Sequence, residues 1–288
     1  MLGRNQYVID MSREDVRNNI WEQMYKVLSQ NNIEYLKWDF NRNISDAGSA
    51  LLPPARKREF FHRFILGTYD LMNRLVTTFP NILFENCSGG GGRFDPAMLC
   101  YSPQIWASDN TDPIDRLYIQ FGTSMSYPAS VVGAHVSASS RTGYETKCNV
   151  ARWGTFGLEL DPTKLTDNEA DIIRNQIKKY HRNYELVNRG DLYRLISPFE
   201  NPHRAAWQLV LPDKSRTMVT LVTMQEECHQ HLIVRLRGLD PDVYYKNEQT
   251  GEVLSGALLM NAGLVLTSLA SHTGESIEIY FDKISENL

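Results

Sequence analysis

The chain is poor in cysteine, with four in 288 residues, at positions 87, 100, 148 and 228. So few, without regular spacing, do not make a disulfide framework, and a reducing compartment is the expectation. Neither sign of charge is in excess: the formal net charge is −4, which leaves no electrostatic case for nucleic acid or an anionic membrane as partner. No apolar stretch approaches the roughly 18 residues of a membrane span. The opening Met1-Leu2-Gly3-Arg4-Asn5-Gln6 lacks the apolar core of a signal peptide, so a cytoplasmic location is expected. Internal repeats and low-complexity tracts are also missing. What is present is an ordinary globular composition, 42% hydrophobic and 22% charged, in a chain long enough to bury a substantial core in one large domain or two.

The first two thirds alternate strand-like and helix-like segments, the pattern of a parallel α/β fold. Strands are expected at 6–9, 33–38, 82–85, 104–107, 131–136 and 155–160. A helix from 12 to about 30 is predicted by Val16, Ile20, Met24 and Val27, spaced three or four apart, with Ser12 as N-cap and Glu14 and Asp15 behind it. A second helix is expected over 60–77. Thr166-Asp167-Asn168-Glu169 reads as a capping box, followed by Ile172, Ile173, Ile177 and Tyr180 on one helical face. After about 188 the texture changes to short β-rich runs at 206–211, 217–223, 231–236, 243–245 and 276–281, with turns at Asp240-Pro241 and Thr250-Gly251. The expected class is therefore α/β. A partial (β/α)8 TIM barrel, about the last six strands, occupies 1–187, and a C-terminal antiparallel β-sandwich domain occupies 188–288. Six strands are two short of closure, so the missing pair is expected upstream of Met1.

Asp39 ends the run Tyr35-Leu36-Lys37-Trp38-Asp39, and Asp109 stands 70 residues later in Trp106-Ala107-Ser108-Asp109-Asn110-Thr111-Asp112. Between them lies Glu85-Asn86-Cys87-Ser88-Gly89-Gly90-Gly91-Gly92-Arg93-Phe94-Asp95. In a (β/α)8 barrel, chemistry collects at the C-terminal ends of the strands. Two carboxylates at such ends suggest cleavage of a glycosidic bond, which is usually run by two carboxyl groups in different roles. Glycine lets a backbone approach a sugar closely and aim amides at its hydroxyls. A phosphate loop is excluded because no Gly-Lys-Ser/Thr follows the glycines. Blander readings stand beside these: Asp39 as an N-cap or ion-pair residue, Asp109 as part of a polar turn in which Asp112 is the better cap, and the glycines as a plain flexible loop. His135, at a strand end, reads as structural. Cys228-His229-Gln230-His231 looks faintly like a metal site, but alternation on a surface strand is the better account. No metal or organic cofactor is expected.

These three tracts, in this order and spacing, resemble the bacterial α-galactosidases of glycoside hydrolase family 36. The resemblance extends to Gly3-Arg4-Asn5-Gln6, Gly133-Ala134-His135-Val136-Ser137, Gly154-Thr155-Phe156-Gly157-Leu158-Glu159-Leu160-Asp161 and Leu259-Met260-Asn261-Ala262-Gly263-Leu264. It covers the family only from about the third barrel strand onward. The resemblance implies that the family's N-terminal β-sandwich, and a strand-one tract of paired aspartates that binds the galactose 4- and 6-hydroxyls, are expected upstream of Met1. The resemblance implies a retaining hydrolase of melibiose- and raffinose-type α-galactosides. Asp39 would be the nucleophile, its ionised form favoured by Lys37 and Arg42, and Asp109 the general acid and then base, roughly 5–5.5 Å away. It further implies that Arg4, Lys37 and Asn41 hydrogen-bond the sugar. Cys87 and Gly90 would contact its 2-hydroxyl, which disfavours a 2-acetamido group. Trp106 and Trp38 are candidates for packing on the apolar face of galactose or, equally, for the core. Full-length members are often tetramers, so a homo-oligomer is a possible state. The alternatives are an inactive truncated fragment and a galactoside-binding module.

Overall fold

In the computed structural model, which describes residues 5–42, 44, 48–138, 141–226, 232–266 and 272–284, the period-two and helical patterns resolve into elements close to those expected. The chain divides into two compact units, Met1–Asp109 and Asn110–Leu288.

In the first unit, α1 spans Glu14–Gln30 and buries Leu28, with Ile20, Trp21 and Met24 half-buried beside it. Ser12 is not its cap. The Ser12 backbone N–H and hydroxyl both donate to Asp10 Oδ1, at 3.1 and 2.5 Å, so the helix starts two residues later behind Arg13, without a side-chain cap. The expected strand at 6–9 is also not formed. Gln6 makes a single bridge and Tyr7–Asp10 take no strand conformation. A strand exists only where a neighbour pairs with it, and β propensity alone does not supply that neighbour.

Three parallel strands follow: β1 Tyr35–Trp38, β2 Leu83–Asn86 and β3 Gln104–Trp106. Helix α2, Phe60–Thr78, connects the first two, and the short α3, Pro96–Leu99, precedes the third. Register decides what each strand shows to each face. Leu36 is opposite Phe84, and these residues and Ile105 pack with Phe64, Leu71 and Leu75 of α2 in one apolar cluster. On the other face Lys37 is opposite Glu85, and Glu85 is opposite Gln104. The hydrophobic face is thus spent on the helix, and the polar face is left for chemistry.

The second unit begins with α4, Pro113–Thr123. Asp112 caps it as expected, accepting from the backbone of Ile114 and Asp115 at 3.0 and 3.2 Å. Strand β4, Val132–Ser137, pairs in parallel with β5, Thr155–Glu159, and α5, Tyr144–Ala151, lies between them in sequence. The capping box at Thr166 and Glu169 opens α6, Asp167–Arg182, and α7 spans Tyr184–Arg189. His135 lies on β4 with its Nδ1 3.6 Å from Glu159. The expected class holds, as a partial (β/α)8 barrel followed in sequence by a β region, but with five parallel strands among the described residues in place of six.

The β region contains β6 Asp191–Ile196, β7 Arg204–Val210, β8 Arg216–Thr223, β9 Ile233–Val234, β10 Tyr244–Asn247, β11 Val253–Ser255, helix α8 Gly256–Asn261, β12 Leu264–Val265 and β13 Ser276–Lys283. Six of these strands form an antiparallel sheet in the order β11-β10-β13-β8-β7-β6, and β12 pairs with β9. Trp207 of β7 stacks on Trp153 at 4.7 Å, and Phe121 of α4 meets Trp153 edge-on at 4.7 Å. Next to Trp153 in sequence, Arg152 forms a buried ion pair with Glu278 of β13, with Nη2 to Oε2 at 2.6 Å and Nε to Oε1 at 3.1 Å. No described helix is long and apolar enough to cross a membrane.

Candidate active site

The ends of β1, β2 and β3 bring the three sequence tracts together. Asp39 leaves β1 directly after Trp38, Cys87 leaves β2 and Ala107 leaves β3. Backbone bonds run on past the strands: the Cys87 N–H donates to Trp38 O at 2.9 Å and the Phe40 N–H donates to Cys87 O at 3.1 Å. Asp39 and Cys87 are thereby locked side by side.

Asp39 is held as an anion. Burial pushes its carboxyl up. A hydrogen bond from the Cys87 thiol, another from the Asn41 amide, the Phe40 N–H at 2.8 Å and the charge of Lys37 together outweigh burial, and its pKa lies below the ordinary carboxylate value. The thiol shows the converse. Burial, with Asp39 beside it, drives Cys87 up to about 11, so it stays a neutral donor. Of the cysteines among the described residues, Cys100 is exposed whereas Cys87 and Cys148 are buried. Brief treatment with iodoacetamide near pH 8 is expected to alkylate Cys100 and to spare both buried thiols, as peptide mass mapping would read.

The glycines are structural spacers as much as a flexible loop. Gly90 has φ +85°, and a Cβ there would lie 2.9 Å from Ser108 Cα and 3.2 Å from Asp109 N; one on Gly91 would lie 2.7 Å from Ala107 O. The loop after β2 is therefore seated directly on the backbone that carries Asp109. Gly90→Ala forces both a left-handed side-chain residue and a backbone clash, and should cost about 1–3 kcal/mol in urea unfolding. Asn41 fastens the same loop from the β1 side, its Oδ1 accepting from the Gly89 N–H at 2.8 Å.

Trp106 is buried, 2% exposed. Its indole Nε1–H donates to Asp109 Oδ1 at 3.1 Å, and the Lys37 ammonium lies over its ring, 4.5 Å from the centroid. A cleft of about 770 Å3 touches Asp39, Asn41 and Arg93 but runs along the α2 side, against Phe64, Ile65, Thr68 and Tyr69, and neither Lys37, Cys87, Trp106 nor Asp109 lines it. The structure thus brings together Lys37, Asp39, Asn41, Cys87, Gly90, Trp106 and Asp109. Arg4 and the Cys228-His229-Gln230-His231 tract lie outside the described residues. Among the described residues no group of three or more His, Cys, Asp or Glu side chains is placed to hold a metal.

Sequence reading missed Arg93 and Glu85. Arg93 donates through Nη2 to Cys87 O at 2.7 Å, with its guanidinium over the Phe40 ring at 5.3 Å. Glu85 is fully buried. Period-two counting back from Cys87 puts Glu85 on the polar face, but the register that sets it against Lys37 is not readable from one strand.

A family model described as Melibiase matches residues 1–190, and one described as the glycosyl hydrolase family 36 C-terminal domain matches 204–281. The chain is 47% identical over 268 residues to alpha-galactosidase Mel36A of Lactobacillus acidophilus, covering 91% of this chain and 36% of that protein. It is also similar to crystal structures of two variants of the GH36 alpha-galactosidase AgaA from Geobacillus stearothermophilus, in complex with raffinose and with stachyose. Each has a TM-score of 0.95 at 44% identity, covering 99% of this chain and 40% of that one. In the raffinose complex an aspartate is replaced by asparagine, and in the stachyose complex an aspartate 70 positions earlier is replaced by alanine. The chain spans little more than a third of the length of these relatives.

Proposed function

Since the chain belongs to glycoside hydrolase family 36, we propose that it carries the catalytic pair of a retaining α-galactosidase, with Asp39 as nucleophile and Asp109 as acid and base. The observation that carries this reading is the pairing of environments. Asp39 sits among donors that favour its anion, and Asp109, on the next loop but one, accepts the Trp106 indole N–H at one oxygen. The 70-residue separation of Asp39 and Asp109 equals that of the two aspartates replaced in the AgaA complexes, which supports the assignment.

In the first step Asp39 attacks the anomeric carbon, the glycosidic C–O bond breaks, and Asp109 gives its proton to the leaving oxygen. In the second, Asp109 takes a proton from water as that water attacks the same carbon, and Asp39 leaves. Two inversions give net retention. Lys37 and Asn41 are proposed to bind sugar hydroxyls, with Arg4, and Cys87 and Gly90 to lie against the 2-hydroxyl. Trp106 would wall the site from behind. Melibiose- and raffinose-type oligosaccharides are the proposed substrates, which the raffinose and stachyose complexes of AgaA support. Residues 1–187 are proposed as the catalytic part and 188–288 as a β domain, with a homo-oligomer as the working assembly.

The test is hydrolysis of a chromogenic aryl α-galactoside by this chain, beside the chain extended upstream to the length of its relatives, with the product anomer followed by proton NMR. Release of α-galactose by either form supports the reading. No turnover by both, with galactoside still bound, would replace it with a binding module.

A pH profile gives a second check. The nucleophile works ionised, so kcat/KM should fall as pH drops through the lowered pKa of Asp39, giving an acid limb below the ordinary carboxylate range. Cys87→Ala removes one of the donors that lower it. One hydrogen bond is worth about 1 kcal/mol, so the limb should move up by roughly half to one pH unit.

A further inference from the structure

Glu85 is the most deeply placed charged group near the site, with none of its surface exposed. Its Oε2 accepts from the Tyr35 hydroxyl and from Gln104 Nε2, the latter at 2.6 Å. Burial, then the hydrogen bond to Glu85, pushes the Tyr35 phenol up, so it remains a donor. The other oxygen, Oε1, accepts no hydrogen bond and has the Lys37 ammonium 3.3 Å away. A buried ion pair is a weak device for stability, because desolvation cancels much of the attraction. It is an effective device for fixing one point in space. Lys37 has a long flexible stem and is one-third exposed, so on its own it would sample many positions.

On that ground we infer that Glu85 is a positioning residue, a fixed anion that pins the Lys37 ammonium between itself and the Trp106 ring, at the place where the sugar is bound. The inference rests on the reading of Lys37 as a sugar ligand given above. The chain of contacts is continuous across three strands: Tyr35 and Gln104 fix Glu85, Glu85 fixes Lys37, Lys37 lies over Trp106, and Trp106 holds Asp109. Register makes this possible, since Lys37, Glu85 and Gln104 are direct cross-strand neighbours.

The experiment is the inhibition constant of galactose and the kcat for an aryl α-galactoside, in whichever form of the protein shows turnover that depends on Asp39. Glu85→Gln keeps the shape and removes the charge. It should raise the inhibition constant about tenfold while kcat stays within about threefold, and in a Lys37→Met background it should change the constant less than about twofold. Equal effects in both backgrounds, or no effect in either, would overturn the inference. If Glu85→Gln does not fold, Tyr35→Phe loosens the same carboxylate from outside the site. A threefold rise that vanishes in the Lys37→Met background supports the inference, and an undiminished or absent rise rejects it. Turnover independent of Asp39 would instead be a failure of the functional reading, whatever Glu85 does.

Discussion

Asp39→Asn should lower turnover of an aryl α-galactoside by about four orders of magnitude or more, the scale seen when a covalent nucleophile is removed. The substitution keeps the volume and the contacts with Cys87 and Phe40 but removes the charge that attacks carbon. The informative comparison is Asp109→Ala. Bond cleavage with an activated aryl leaving group needs little protonation, so the first step survives and the covalent galactosyl-enzyme accumulates and decays slowly. Intact-protein mass spectrometry should find one added galactosyl in Asp109→Ala and none in the variant that combines Asp39→Asn with Asp109→Ala. With raffinose, whose leaving group is poor, Asp109→Ala should be nearly silent. Near-normal activity of Asp39→Asn would overturn the assignment of roles.

The second large effect is on stability, at Arg152. Its guanidinium is fully buried and meets both oxygens of Glu278, with Gln176 and Asn149 as further acceptors, and Tyr280 donates to the same carboxylate at 2.8 Å. Burial lowers the Arg152 pKa, but the charge of Glu278 and the surrounding acceptors more than reverse this, so it is held as a cation. Arg152→Met strands the Glu278 carboxylate in the interior. Breaking one partner of such a pair costs about 3–5 kcal/mol, which for a chain of this size is a fall of roughly 10 °C in the thermal midpoint. The double variant Arg152→Met, Glu278→Leu removes both charges and should recover most of the loss. Additive losses would mean that packing, not the charge pair, carries the effect.

Much of the candidate site is legible in residue order, because strand-end position and glycine content are local properties. Asp39, Cys87, Gly90 and Asp109 fall where short apolar runs stop, and the runs marked the strands. What stayed hidden depends on partners. The face on which Glu85 meets Lys37 is set by a parallel register between segments nearly fifty residues apart. The 6–9 run has strand composition but no ladder, and Ser12 lost its capping role to an acceptor two residues earlier. In the β region, β6, β11 and β12 were missed: β11 and β12 are too short for alternation to show, and β6 mixes charged and apolar residues at an edge of the sheet. Trp106 could be read as either a sugar platform or core. Its burial and its indole bond to Asp109 place it behind the carboxylate.

The seating of Gly90 and Gly91 on Ser108 and Ala107 has a consequence for precision. Main chain resting on main chain has no rotamers to sample, so this contact works as a mechanical stop for the loop that bears Asp109. Its clearance does not vary with the side-chain hopping that loosens most surface sites. Substitutions in the surrounding helices can alter how firmly the body is held without changing the gauge between the two loops, whereas a single added methyl group at that stop resets it.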